Sequence, residues 1–211
     1  MDRKEIQAMR RSYSERDYVL PDQPIEAFKV WLREAADLPS IIEPNAMVLS
    51  TEGIDGITSR SVLLKDVSDD GFTFFTNYNS RKAKAIEINS QVSLLFPWYA
   101  MERQVIILGN ATKVTREESE EYFQTRPYGS QIGAWASHQS MPMSSREELQ
   151  VRFDGAKEKW PTEVPTPPHW GGYLVKPYSI EFWQGRPSRL HERTRFELDD
   201  DGNWVKHLYY P

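Results

Sequence analysis

Between residues 46 and 114 the chain is cut into five short runs rich in apolar and β-branched residues: Ala46 to Thr51, Ser59 to Val67, Phe72 to Asn77, Val92 to Tyr99 and Arg103 to Val114. Two of the breaks are Asp-Gly pairs, Asp55-Gly56 and Asp70-Gly71, where glycine supplies the positive φ that a tight hairpin turn needs. Spacing of this kind indicates an antiparallel meander or a small barrel.

Helical patterns flank and interrupt these runs. Ile25, Phe28, Trp31, Leu32 and Ala35 repeat at helical spacing after Pro24, with Asp22 as a candidate cap. Ser80 can cap a helix through Ile88. Thr115 with Glu118 forms a capping box for a helix ending near Arg126, and Ser145 with Glu148 forms another toward Trp160. From Trp170 the texture returns to strands: GGYLVKP, SIEFWQG, RLHERTRFEL and NWVKHLYY. The Pro-rich run Pro161 to Pro168 reads as a surface connection. Residues 1–20 are polar without a sustained period, which predicts a mobile arm or short helix, and residues 21–211 read as a single domain. The fold class is α+β with a mainly antiparallel, closed sheet and flanking helices.

Composition narrows the chemistry. The 211 residues include no cysteine, which excludes disulfides, thiolate zinc sites, iron–sulfur ligation and cysteine nucleophiles. A formal net charge of -5 argues against nucleic acid or an anionic membrane as partner. No segment approaches the ~20 apolar residues of a membrane span, and the first residues lack an apolar signal core, so a cytoplasmic location is expected. His138, His169 and His207 show no spacing that reads as a metal site, and no metal is expected. HExxH, GxGxxG, the P-loop and GxSxG are all absent.

Four clusters carry possible chemistry. Arg60 and Lys65, five apart on a strand, point to opposite faces and can each meet an anion, although two ordinary surface charges would look the same. Ser80-Arg81-Lys82 opens a helix after Phe75-Thr76, placing two cations where the dipole is already positive, which is a seat for phosphate. Tyr122 and Arg126 are i and i+4, and Pro127 with Gly129 breaks the helix so that Ser130 can turn back, giving two hydroxyls and a guanidinium suited to a monophosphate. Last, Arg189, His191 and Arg193 fall on one face if the RLHER segment is a strand, and three such groups repel unless they face an anion or an electron-rich ring. By themselves these clusters indicate two or more phosphate seats.

In this order, together with Met9-Arg-Arg-Ser-Tyr13, SLLFPW, ERQV, SQIGAW, SHQS, WGG and EFWQG, they resemble the pyridoxamine 5′-phosphate oxidase family over nearly the whole chain. The resemblance implies a split β-barrel that binds FMN at the interface of a homodimer, so that residues 21–211 form one FMN-binding domain. It implies FMN contacts from Arg60, Ser61, Val62, Leu63, Leu64, Lys65, Phe75, Thr76, Arg81, Lys82, Gln104, Gln139, Ser140, Trp183 and Arg193. Substrate contacts would come from Lys65, Tyr122, Arg126, Ser130, Arg189, Leu190 and His191, with Arg10, Arg11, Ser12 and Tyr13 closing over the site. The implied reaction is hydride transfer from C4′ of pyridoxamine or pyridoxine 5′-phosphate to the flavin, giving pyridoxal 5′-phosphate, while O2 becomes hydrogen peroxide. Arg189 and His191 are the expected catalytic pair, acting on ring orientation. Two departures stand out: Phe75 where the family often has Tyr, and the ending His207-Leu-Tyr-Tyr-Pro211 in place of Arg-Leu-x-Pro. A split-barrel flavin enzyme with another substrate, or a non-catalytic binder of these ligands, would share many of the same motifs.

Overall fold

The computed structural model describes residues 2–9, 12–15 and 18–211. Among these are eight strands: β1 (Ala46–Gly53), β2 (Gly56–Ser68), β3 (Gly71–Asn77), β4 (Gln91–Trp98), β5 (Arg103–Lys113), β6 (Trp170–Gln184), β7 (Glu192–Leu198) and β8 (Trp204–Tyr209). They join in the order β3-β2-β1-β4-β5-β6-β7-β8, and β3 also pairs with β6. That extra pairing closes the first six strands into an antiparallel barrel and leaves β7 and β8 as an extension of β6. All five runs expected between residues 46 and 114 are strands.

The helices are α1 (Arg3–Ala8), α2 (Pro24–Asp37), α3 (Arg81–Ile88), α4 (Arg116–Thr125), α5 (Tyr128–Ala136) and α6 (Arg146–Lys159). Caps fall where the sequence places them for three of these. Ser80 accepts from the Ala83 N–H, Thr115 and Glu118 form a reciprocal box, and Ser145 accepts from Glu148. Asp22 does not cap α2. Gln23 occupies that position without a side-chain bond, because Pro24 starts the helix with its own fixed φ, and Asp22 pairs instead with Lys206 at 3.5 Å. Among the described residues no helix is long and apolar enough to cross a membrane.

Two compact units make up the chain, one of residues 1–46, 94–107 and 178–211 and the other of residues 47–93 and 108–177. The first is centred on α2. Phe28 packs on Phe96 at 4.8 Å between ring centroids, and Trp31 meets Phe182 edge-on at 5.1 Å. Phe28, Trp31, Phe96 and Phe182 are essentially inaccessible, and truncating one such aromatic costs about 3–5 kcal/mol. In the second unit Phe123, Ile132, Ala156, Val164 and Trp170 form a core cluster, and Phe74 stacks on Tyr173 across the β3–β6 pairing.

Two further expectations change. GGYLVKP and SIEFWQG form one strand rather than two: Pro177 lies after the last pairing with β3, at Val175, and before the first with β7, at Ser179. The RLHER segment is not a strand throughout. Pro187–Arg189 is a 3₁₀ turn in which Ser188 and Arg189 take φ of 56° and 65°, and β7 begins only at Glu192. Arg189, His191 and Arg193 therefore do not share one strand face.

Gly71 closes the β2–β3 hairpin at φ 142°, where a Cβ would lie 2.1 Å from the Val175 carbonyl oxygen. Replacing it with alanine combines backbone strain with a clash against backbone that cannot move aside. Gly71→Ala should destabilise the protein by about 3 kcal/mol, read as a lowered urea midpoint with an unchanged slope.

Candidate active site

In the second unit, the end of β3, the start of α3 and the α4–α5 junction line a cavity of about 440 Å³. Ser61, Val62, Leu63, Lys65, Phe75, Thr76, Lys82, Tyr122, Arg126, Ser130 and Gln139 all border it, so the third sequence cluster meets Lys65 of the first and Lys82 of the second there, while Arg60 and Arg81 do not line it. Its wall is aromatic: Phe75 stacks on Tyr122 at 4.1 Å and on Trp170 at 5.4 Å. Loss of a hydroxyl at Phe75 thus leaves the stacking surface in place.

Lys82 is 9% exposed, and its ammonium donates to Gln139 Oε1 at 2.7 Å, Thr76 Oγ1 at 3.2 Å and Ser80 Oγ at 3.4 Å. All three acceptors are uncharged. Burial, reinforced by the positive charge of Arg60, pushes its pKa down to about 8. Because the folded chain holds this proton less tightly than the unfolded one, the cost to stability is fully present below pH 8. It disappears as the pH rises toward the ordinary lysine value. Arg60 donates to the Leu49 carbonyl and to the hydroxyls of Thr51 and Thr58, and burial together with Arg81 lowers its pKa as well. Arg81 and Ser140 border a smaller cavity of about 260 Å³ with Thr58, Asn79 and Lys84, and Arg81 lies 3.5 Å from Asp55.

Arg126 sits just past the end of α4 in extended conformation, so it is the residue that terminates the helix rather than a member of its last turn. Its guanidinium lies over the Trp170 ring at 4.7 Å, burial lowers its pKa, and its Nη1 is buried with no hydrogen-bond partner. A buried donor left unmade costs about 1–3 kcal/mol, and an anion in the adjoining cavity removes that cost. Lys65 Nζ stands 5.9 Å from the Tyr122 ring centre on the same cavity. Leu64 is buried where β2 pairs with β3 and does not line the cavity.

The first unit holds a larger cavity, about 1000 Å³, bordered by Ser12, Tyr13, Glu102, Gln104, Trp183, Arg189 and His191. His191 Nδ1 accepts the Arg186 backbone N–H at 3.1 Å, so in the neutral ring the proton is on Nε2. Burial and neighbouring Arg189 lower the His191 pKa, which favours that neutral donor form. Tyr13 meets Trp183 and His191 edge-on at 5.7 and 5.5 Å. Leu190, which separates Arg189 from His191 in the sequence, is 71% exposed. Arg193, on β7, donates to both oxygens of Glu181, a 5% exposed carboxylate that Arg195 also engages. Arg10 and Arg11 lie outside the described residues. Sequence reasoning passed over Trp170, Glu102 and Glu181, the first a stacking surface for Arg126 and the two acids indistinguishable from surface charges until their partners are seen.

A closed antiparallel barrel carrying cation-lined cavities defines a split-barrel protein. Comparison with known proteins is more specific. Residues 33–159 match the family described as pyridoxamine 5′-phosphate oxidase, and residues 170–211 match the pyridoxine 5′-phosphate oxidase C-terminal dimerisation region. The chain is 48% identical over 204 residues to the pyridoxine/pyridoxamine 5′-phosphate oxidase of Dichelobacter nodosus, covering 94% of this chain and 96% of the relative. With the protein of the same name from Cupriavidus necator it shares 50% identity, covering 93% and 94%. Among solved structures, PhzG from Burkholderia lata 383, in complex with tetrahydrophenazine-1-carboxylic acid, matches with a TM-score of 0.85 at 31% identity, over 90% of this chain and 94% of that one. The chain belongs to the pyridoxine/pyridoxamine 5′-phosphate oxidase family.

Lys82 gives the cavity a pH signature. Inorganic phosphate, followed by calorimetry, should bind progressively more weakly as the pH rises through about 8, where Lys82 loses its proton, and Lys82→Gln should flatten that dependence.

Proposed function

We propose that this chain oxidises pyridoxamine 5′-phosphate and pyridoxine 5′-phosphate to pyridoxal 5′-phosphate, with FMN as redox group and O2 as final acceptor. We further propose that it acts as a homodimer with FMN at the subunit interface, in the cytoplasm, where the charge of phosphorylated substrates retains them. The observation that carries this reading is the provision for phosphate in the second unit. A buried ammonium with only neutral partners and a buried guanidinium nitrogen with none both border one cavity.

These groups fit the proposed ligands. Arg60, Arg81 and Lys82, gathered around the Ser80 cap, suit the FMN phosphate, and Lys65, Tyr122, Arg126 and Ser130 suit that of the substrate. FMN, when bound, would supply the two-electron redox chemistry between substrate C4′ and O2, with hydrogen peroxide as the second product. The protein's own part is placement. The phosphate clamp supplies binding energy remote from the reacting carbon, which can be directed to orientation there. Arg189 and the neutral His191, a hydrogen-bond donor through Nε2, orient the polar substituents of the pyridine ring. Trp183 and Tyr13 cover the same space and exclude water. Residues 21–211 form the FMN-binding part in this reading, and residues 1–20 an arm.

The purified protein should be yellow and should release equimolar peroxide and aldehyde with both substrates in air. A colourless protein that cannot be reconstituted with FMN would overturn the proposal. Arg126→Ala should raise KM for pyridoxine 5′-phosphate about 50-fold, the loss of a charge-assisted contact of roughly 2–3 kcal/mol, with flavin still bound. For Arg189→Met the expected signature is different: kcat falls by about two orders of magnitude while flavin absorbance is retained, since only orientation at the reacting carbon is lost.

A further inference from the structure

Glu102 stands at the turn between the 3₁₀ residues Tyr99–Met101 and β5, with a left-handed φ of 56°. It is bonded from both ends. Its carboxylate Oε2 accepts from the Ser14 backbone N–H at 2.9 Å and from the Ser14 hydroxyl at 2.6 Å. Its carbonyl accepts from the Gly185 N–H at 2.7 Å and from Gln184 Nε2 at 3.3 Å. One residue therefore ties the N-terminal segment to the end of β6.

The next residue along that segment is Tyr13, whose ring touches both Trp183 and His191. A Cβ at Gly185 would lie 2.8 Å from Tyr13 Cγ, although the Gly185 backbone is one that alanine adopts freely. The nearest obstacle to a side chain there is the Tyr13 ring. Carboxylate, hydroxyl and missing side chain thus act together to seat Tyr13 beside the imidazole.

We infer that Glu102 is a positioning residue: through Ser14 it latches residues 12–15 beside the cavity that holds Arg189 and His191, and so sets how tightly substrate is retained. This rests on the function proposed above. A released segment leaves the cavity open and shortens the residence of a small phosphorylated ring compound, so the effect belongs to KM rather than to the chemical step.

The test has two arms on the full-length, FMN-loaded protein. Ser14→Ala and Glu102→Gln should each speed hydrogen exchange of the peptide containing Ser14 about tenfold and raise KM for pyridoxine 5′-phosphate about tenfold, as expected for one charge-assisted hydrogen bond. In Ser14→Ala kcat should stay within about twofold of the parent, and Ser14→Thr, which keeps the hydroxyl, should restore KM. Gly185→Ala should reproduce the KM rise from the other side of Tyr13. Unchanged exchange in both latch variants, or a fall in kcat at constant KM, would refute the latch. Lack of turnover by the unmodified protein would refute the proposed function instead, and the exchange rates would still decide whether the latch exists.

Discussion

Lys82 is buried next to Arg60, and every atom it hydrogen-bonds is an uncharged oxygen. Holding an ammonium in this way disfavours the ligand-free fold, so the elements that create the arrangement must be secured by other means. They are. Thr76 is fixed by the β3–β6 pairing, Ser80 caps α3 and is fully buried, and Gln139 is drawn in by Lys82 and by the Thr76 hydroxyl. The barrel supplies the rigidity, and the unbalanced charge is concentrated where a strand runs into a helix. On the proposed function, a phosphate there would meet a cation beside the positive end of α3.

This also resolves the acidic composition. A net charge of -5 describes the whole surface, whereas recognition of a small dianion depends on the potential within a few ångströms. Of the cations that border the second unit's main cavity, Lys65, Lys82 and Arg126 have no carboxylate partner among their described interactions, while exposed lysines elsewhere, such as Lys29 and Lys113, are paired with glutamates. Arg193 differs from the cations left open toward a cavity, because it is paired with Glu181, a carboxylate that Arg195 also engages. A carboxylate that pre-orients an arginine and one that neutralises it look alike in sequence.

Much of the fold was legible because its signals are local. Alternation in β1, β3, β4 and β5 and the caps at Ser80, Thr115 and Ser145 rest on neighbours within a few residues. What failed was tertiary. Pro177 breaks a strand in most settings, and is tolerated in β6 because it falls between pairing with one neighbour and pairing with the next. The RLHER segment has a strand-like pattern, but it turns at Ser188 and Arg189, neither of which is a residue that advertises a positive φ. For the site, motif residues such as Lys65, Tyr122, Arg126 and Ser130 were identifiable and do share a cavity. Glu102 and Trp170 act through distant partners, so no spacing could have singled them out.

The strained backbone follows the same division. Among the described residues the non-glycine positions with positive φ are Glu102, Ser140, Ser188 and Arg189. Glu102, Ser188 and Arg189 border the first unit's large cavity, and Ser140 borders the small cavity beside Arg81. Each such residue costs on the order of 1 kcal/mol or more, and a fold tolerates them only where surrounding contacts over-determine the backbone. Here those contacts are identifiable: Gly185 and Gln184 hold the Glu102 carbonyl, and the Arg186 N–H holds His191 just beyond the Ser188–Arg189 turn. The left-handed turn is what lets Arg186 reach back to the imidazole five residues later. A strand at these positions would have placed Arg189 and His191 on one face of a flat ladder. The Arg186 N–H, bonded to Nδ1 across that turn, sets the neutral tautomer of His191, a contact that sequence periodicity alone could not show.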